Sequence, residues 1–355
     1  MTRLRDTLGP PLLALAMSAL IGAVIMQASG VNPAVGYQSM LTGAVGSPEA
    51  WGRTLQGATP LILTGIAVAF AFRGGLFNIG GDGQFAAGAV TAAWLGTALP
   101  LPPVIGPVVV CAGAALAGAF VGGLAGLLRA RFSVHEVVTT IMLNFIVADL
   151  TTWLLLNPLS GKTQVPGSAF VNPDNQLPAL GDVLPTVHVG LLLAVGASVV
   201  ATVILWHTSR GLELRVFGLA PKAARYVGVS PSTAAVLALG GGAAFAGLAG
   251  AGEVLGTYQH MTVPFVTNLG FLGIGVALLG RNHPLGCVGG GLLLGGLSAG
   301  GQQMQFDVGI SAHLTEVLVA VVLLFVTVSA LRATGPRWIT RLRARPRPAK
   351  VTDER

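Results

Sequence analysis

The sequence predicts an all-α, polytopic membrane protein of about ten transmembrane helices, and three observations carry that reading. Of 355 residues, 53% are hydrophobic and only 9% charged, whereas soluble domains run near a quarter charged. The apolar runs are continuous over about 20 residues, the length that crosses a bilayer as a helix, instead of alternating over about 10 as barrel strands do. With ten spans and an inside N-terminus, every Lys and Arg except Arg53 and Lys162 falls inside, as the positive-inside rule requires when the parity of the span count is right. The positive net charge therefore reflects topology and anionic lipid, not nucleic acid. The 51 glycines point to helices packed closely through small residues, because apolar side chains gain little by leaving lipid for one another. Cys111 and Cys287 lie inside apolar runs and read as packing.

Taken in order, residues 8–26 follow Arg3 and Arg5 without a small-x-small cleavage site and read as an uncleaved first helix. Residues 27–53, with Pro33, Pro48 and Glu49, read as an outside loop, and a second span at 54–72 ends at Arg73. Residues 76–99 read as a third span whose first half is polar and Gly-rich; Pro100, Pro102 and Pro103 stop it. The fourth span, 104–128, carries Gly118, Gly122 and Gly126 at steps of four, a face for close helix contact. Arg129 and Arg131 end it. The fifth, 134–156, places Glu136, Thr140 and Asn144 at i, i+4 and i+8, on one face. Residues 157–185 are broken by prolines and read as an external loop with room for a short helix, before a sixth span at 187–206.

Residues 207–231 form the longest internal polar stretch, with Arg210, Glu213, Arg215, Lys222 and Arg225. A short helix is expected at 220–226, its Pro221 near the start. Such an element is either a docking surface for a soluble partner or a loop that carries topology charges. A seventh span (233–252), an outside loop (253–267) and a short eighth span (268–279) follow. The turn Arg281-Asn282-His283-Pro284, a ninth span (285–301), a polar loop (302–311) and a tenth span (312–331) complete the chain. Residues 1–331 are thus expected to form one transmembrane domain, with a basic cytoplasmic tail at 332–355, Pro-broken and expected to be disordered.

The stretch from Arg73 to Gln84 stands out because it places Asn78, Asp82 and Gln84 among five glycines between two membrane-long apolar runs. Polar groups at that depth face a bundle interior or a wet path, and freed backbone groups there must be covered by protein or water. A polar cytoplasmic turn is the plainer reading of the same residues. Glu136 likewise reads either as a helix-end carboxylate favoured by the dipole or as part of a path. No G-x-x-x-x-G-K-[ST], H-E-x-x-H, paired C-x-x-C or G-x-S-x-G occurs, so neither an ATPase of its own nor a metal or serine hydrolase is indicated. An ion-coupled secondary carrier using Asp82, Glu136 and Asp149 remains a different class of reading.

Four ordered motifs carry a resemblance. Gly75-Leu76-Phe77-Asn78-Ile79-Gly80-Gly81-Asp82-Gly83-Gln84 resembles the Gly-Leu-Phe-Asn-Ile-Gly-x-Glu-Gly-Gln signature of bacterial ABC importer permeases of the nucleoside and simple-sugar group. These permeases are related to those for ribose and branched-chain amino acids. Glu136-Val137-Val138-Thr139-Thr140-Ile141-Met142-Leu143-Asn144 resembles that family's Asn-Glu-Val-x-x-Thr-x-Met-Leu-Asn, residues 218–228 its coupling segment, and residues 273–286 its late motif. Two positions depart: Asp82 stands where the family usually has Glu, and His135 where it has Asn.

The resemblance implies a type II importer permease fold that forms half of a pore, paired with a second homologous permease or with itself. It also implies a cytoplasmic ABC ATPase subunit and an extracytoplasmic solute-binding protein or lipoprotein. No cofactor is expected in this chain, ATP and Mg being bound by the ATPase. Asn78, Asp82, Gln84, Glu136, Thr140 and Asn144 are expected to line or shape the path, and Arg215, Pro221, Lys222, Arg225 and Gly228 to couple it to the ATPase. The implied solute is a nucleoside, with a simple sugar or another small solute as the alternative.

Overall fold

The computed structural model describes residues 16–162, 165–181, 184–265 and 268–309, with Glu316, Val317, Ala320, Val321 and Leu324 beyond them. Most of the tenth expected span and the tail at 332–355 lie outside the described residues.

Helix α1 (Ala16–Ala28) bends by 120° into α2 (Pro33–Val45). Much of the stretch expected as a loop at 27–53 is therefore helical. The reason is positional: Pro33 and Pro48 punctuate the sequence but occupy first positions of α2 and α3 (Pro48–Arg73), where a missing N–H costs nothing. Asn32 caps α2 by accepting from Ala34 N at 3.0 Å, and Ser47 caps α3 by accepting from Ala50 N at 3.1 Å. Glu49 in the first turn of α3 and Arg73 in the last complement the helix dipole.

Helix α3 is the axis of the molecule. Every residue from Ala58 to Ala71 is buried, enclosed by α10 (Pro231–Gly252), α11 (Leu269–Leu279) and α12 (Pro284–Val308), so it can be apolar on all faces. The other long elements are α4 (Gly81–Ala98), α5 (Ile105–Phe132), α6 (Glu136–Leu156) and α7 (Gly190–His207), and α8 (Ser209–Leu219) and α9 (Pro221–Tyr226) join α7 to α10. The expected small-residue face on α5 is its seam with α10: a Cβ at Gly118 would collide with Gly247, one at Gly122 with Leu239, and one at Gly126 with Val236.

Among the described residues six helices are long and apolar enough to cross a bilayer unaided: α3, α5, α6, α7, α10 with its continuation, and α12. The bent α1–α2 pair adds at most one more. The expectation of about ten spans also counted α4, which begins only at Gly81, and α11, whose 11 residues reach only about 16 Å against a hydrocarbon core of about 30 Å.

Two further boundaries differ from expectation. The outside loop expected at 253–267 begins instead as a π-helical turn, Glu253–Tyr258, which prolongs α10. The polar loop expected from residue 302 is helical to Val308, because the polar side chains there have helix-borne partners. Gln303 Nε2 donates to Asp307 Oδ1 (2.9 Å), Ser39 of α2 donates to Asp307 Oδ2 (2.5 Å), and Arg53 of α3 reaches Gln303 Oε1 (3.3 Å).

Between α6 and α7 the chain forms an irregular cover with a 3-10 turn at Pro173–Asn175 and isolated antiparallel bridges; no strand occurs among the described residues. Buried Asn175 ties that cover to the end of α4, donating to Leu99 O at 2.7 Å.

Candidate functional site

The polar stretch after Arg73 is a knot in the bundle. Helix α3 stops at Gly74, and Gly75 turns the chain at φ +70°, where its missing Cβ lets the backbone lie against Gly218 of α8. The chain then runs without regular structure until α4 starts at Gly81. An interrupted helix leaves backbone groups to satisfy, and the side chains singled out from the sequence satisfy them. Asn144 of α6 donates to Ile79 O (2.9 Å) and accepts from Gly83 N (2.8 Å), and Thr140 accepts from Ile79 N (3.4 Å). Buried Asn78 and Gln84 form a reciprocal amide pair, 2.9 Å in each direction, while Asn78 Oδ1 also accepts from Gly80 N (3.0 Å).

Asp82 spans the gap between two helices. Asn268 precedes α11 but makes no side-chain cap, and the Asp82 carboxylate takes that place by accepting from Gly270 N at 2.9 Å and from Phe271 N. It thus caps α11 from α4. Glu136 closes a different corner. It sits in the first turn of α6, 2.8 Å from Arg129 Nη1 in the last turn of α5, an ion pair whose N–H is not aimed along the carboxylate lone pair. His135 caps the same helix, its Nδ1 accepting from Val137 N at 3.4 Å.

A cavity of about 880 Å³ lies beside this knot, and none of the six path candidates is in its wall. Its walls come from α3, the π turn, the start of α11, α12, and Glu316 and Ala320 beyond it. Arg53 and Gln56 of α3 face Ser298 and Gln302 of α12 across it, and the π turn contributes Glu253, Thr257 and Tyr258. These three escape a sequence reading because Glu253 follows an apolar run rich in Ala and Gly and reads as the start of a loop; the usable signal is that Val254 and Leu255 prolong the apolar run beyond it. A π turn hydrogen-bonds five residues apart and is a frequent mark of a functional site.

The loop residue His188 orients the π turn. Burial holds its pKa below the ordinary imidazole value, and Nδ1 of the neutral ring accepts from Gly190 N at 3.1 Å. The proton therefore sits on Nε2, 3.4 Å from Thr257 Oγ1, and the Thr257 hydroxyl in turn bonds the Glu253 carboxylate.

The internal segment is the third feature. The Arg73 and Arg215 guanidinium groups lie 5.1 and 5.6 Å from the Trp206 ring, His283 packs on the same ring at 4.5 Å, and Arg73 Nε donates to Asn282 O at 2.7 Å. This corner joins the ends of α3 and α7 to α8 and to the turn between α11 and α12. Helix α9 is held by buried Ala224 but presents Pro221, Lys222 and Arg225 outward, and Gly228 at φ +85° follows it. Leu219, Tyr226 and Val227 stand 88%, 92% and 73% exposed beside these residues.

A bundle of membrane-long helices around a cavity, with an exposed short helix between spans, is the architecture of a multi-pass membrane protein. The chain belongs to the family described as the branched-chain amino acid transport system / permease component, which it matches over residues 51–327. It is 38% identical to the guanosine ABC transporter permease protein NupP of Bacillus subtilis (strain 168) over 90% of this chain and 92% of that one. It is 35% identical to the nucleoside ABC transporter permease protein NupB of Lactococcus lactis subsp. cremoris, over 90% of each chain. Against the glucose ABC transporter permease protein TsgB13 of Haloferax volcanii the identity is 34% over 90% of this chain and 87% of that one. No solved structure matches the chain. Permeases of ABC transporters act with an ATPase and a solute-binding protein in general.

Proposed function

We propose that this chain is the pore-forming permease subunit of an ATP-driven importer of nucleosides in a bacterial cell membrane, with both termini cytoplasmic. The observation that carries the solute is the similarity, at 38% and 35% identity over about nine-tenths of each chain, to permeases named for guanosine and for nucleosides. Simple sugars are the second reading, favoured by the 34% identity to a permease named for glucose.

In this reading the Arg-bearing ends of α3 and α5 and the cations of α8 and α9 face the cytoplasm, and α8 and α9 receive an ATPase subunit that binds ATP and Mg; this chain holds no cofactor. Exposed Leu219, Tyr226 and Val227, flanked by Lys222 and Arg225, suit a docking surface, and Arg215 and Gly228 position it. A second homologous permease, or a second copy, completes the pore, and an extracytoplasmic binding protein or lipoprotein delivers the solute. The six polar residues of the knot and of α6 shape the path by pinning α4, α6 and α11, and nucleotide-driven movement of α9 alternates access.

Uptake of labelled nucleosides and glucose by cells lacking this chain tests the solute. Nucleoside uptake should fall to background and return on complementation, while complementation with Pro221→Ala/Arg225→Ala should restore membrane levels but not uptake. Unchanged nucleoside uptake with impaired glucose uptake would overturn the first reading in favour of the second.

A further inference from the structure

We propose that the cavity beside α3 is a solute site in which the Glu253 carboxylate accepts the sugar hydroxyls of a neutral nucleoside and Tyr258 offers a face to its base. The inference rests on the reading of the chain as a nucleoside permease and names where on that path the solute pauses.

The argument starts from Glu253. Glu253 is 6% exposed yet forms part of the cavity wall, and among the described residues no cation pairs with it. A carboxylate held at membrane depth without a counter-ion is costly to keep and by default belongs to a solute or ion path. The π turn sets its direction: residues at i, i+4 and i+5 share a face when hydrogen bonds run five residues apart, and Glu253, Thr257 and Tyr258 all reach the cavity. The fixed tautomer of His188 and the Thr257 hydroxyl hold the carboxylate in place and leave its remaining lone pairs for a ligand's donors. Paired ribose hydroxyls are suitable donors, and a carboxylate takes ribose hydroxyls in the same way in dinucleotide sites.

The rest of the wall fits the remainder of such a solute. Tyr258 and Phe271 are half exposed and line the cavity, and an aromatic ring is a platform for any base. The volume of about 880 Å³ is within the range of small-molecule sites. The lining also has a direction. On α3, α11 and α12 alike it passes from Gln56, Asn268 and Ser298 at the outer end to Leu61, Leu272 and Leu294 toward the cytoplasm. The polar half receives the solute and the leucines close the floor beneath it.

The test uses the complete importer, permease with its ATPase and binding protein, reconstituted in proteoliposomes with labelled guanosine, cytidine and glucose. Glu253→Ala should lower kcat/KM for nucleoside uptake by about tenfold to a hundredfold, the loss expected for a charge-assisted hydrogen bond to substrate. The assembled Glu253→Ala complex should be recovered in wild-type amount, so that the loss reads transport and not folding. Glu253→Gln should lose less, Tyr258→Phe should transport normally, and Tyr258→Ala should impair nucleosides more than glucose.

Wild-type uptake in an assembled Glu253→Ala complex overturns the site. If that variant does not assemble, wild-type uptake in both Glu253→Gln and Tyr258→Ala overturns it. If the wild-type complex carries glucose and no nucleoside, the solute reading falls and Glu253→Ala is scored on glucose. Unchanged glucose uptake there overturns the site as well.

Discussion

The knot at residues 73–84 and the cavity beside it hold the same kinds of polar groups and use them in opposite ways. In the knot, Asn78, Asp82, Gln84, Thr140 and Asn144 are engaged with backbone or with each other. In the cavity, Gln56, Glu253, Ser298 and Gln302 line open space. Polar residues inside a membrane protein thus serve two purposes. Some repair a backbone that has left the helix, and others face the solute; only their hydrogen-bond partners tell them apart.

Substitutions sharpen that difference. The largest effect is expected from Asn78→Leu, which strands the Gln84 amide and the Gly80 N–H in a buried site at about 1–3 kcal/mol per orphaned group. The purified protein should lose several degrees of thermal midpoint. The matched cavity change, Gln56→Ala, should leave stability within about 0.5 kcal/mol and alter only the KM of uptake. Equal thermal losses in the two variants would erase the distinction.

Asp82→Ala comes next, because it removes the cap of α11, worth about 0.5–2 kcal/mol. Since the start of α11 is also cavity wall, uptake should fall together with the thermal midpoint.

The smallest effect concerns His188. Burial lowers its pKa in the folded protein, so below the ordinary imidazole value of about 6.5 the unfolded chain takes up a proton that the folded chain refuses. Stability should therefore decline as pH falls below that value, and less steeply in His188→Gln, as read from thermal midpoints between pH 5 and 8.

The bundle was legible in the sequence because membrane helices announce themselves by length and because the cations sort by side. The short helix at Pro221 was legible for the same kind of local reason. Prolines misled at 33 and 48, where a residue that breaks a helix interior also begins one. The knot was visible as a cluster because its groups are neighbours in the chain, but the cluster did not say what it bonds: the partner of Asp82 is the backbone of Gly270, 188 residues away. The cavity was hidden for the converse reason. Arg53, Gln56, Glu253, Ser298 and Gln302 lie in three separate segments, each unremarkable alone, and Glu253 owes its direction to a π turn that hydrophobic periodicity does not encode.

The contact of Gly75 with Gly218 has a mechanical meaning. Where two helical regions meet through side chains, rotamers can flex and absorb a small push. Here main chain rests on main chain, so a displacement of α8 has no soft layer to cross before it reaches the irregular segment of residues 76–80. From there the push would pass through Asp82 to the first turn of α11. A bulky residue at either glycine would wedge this joint apart, and the cytoplasmic lever would then move without turning the wall of the chamber.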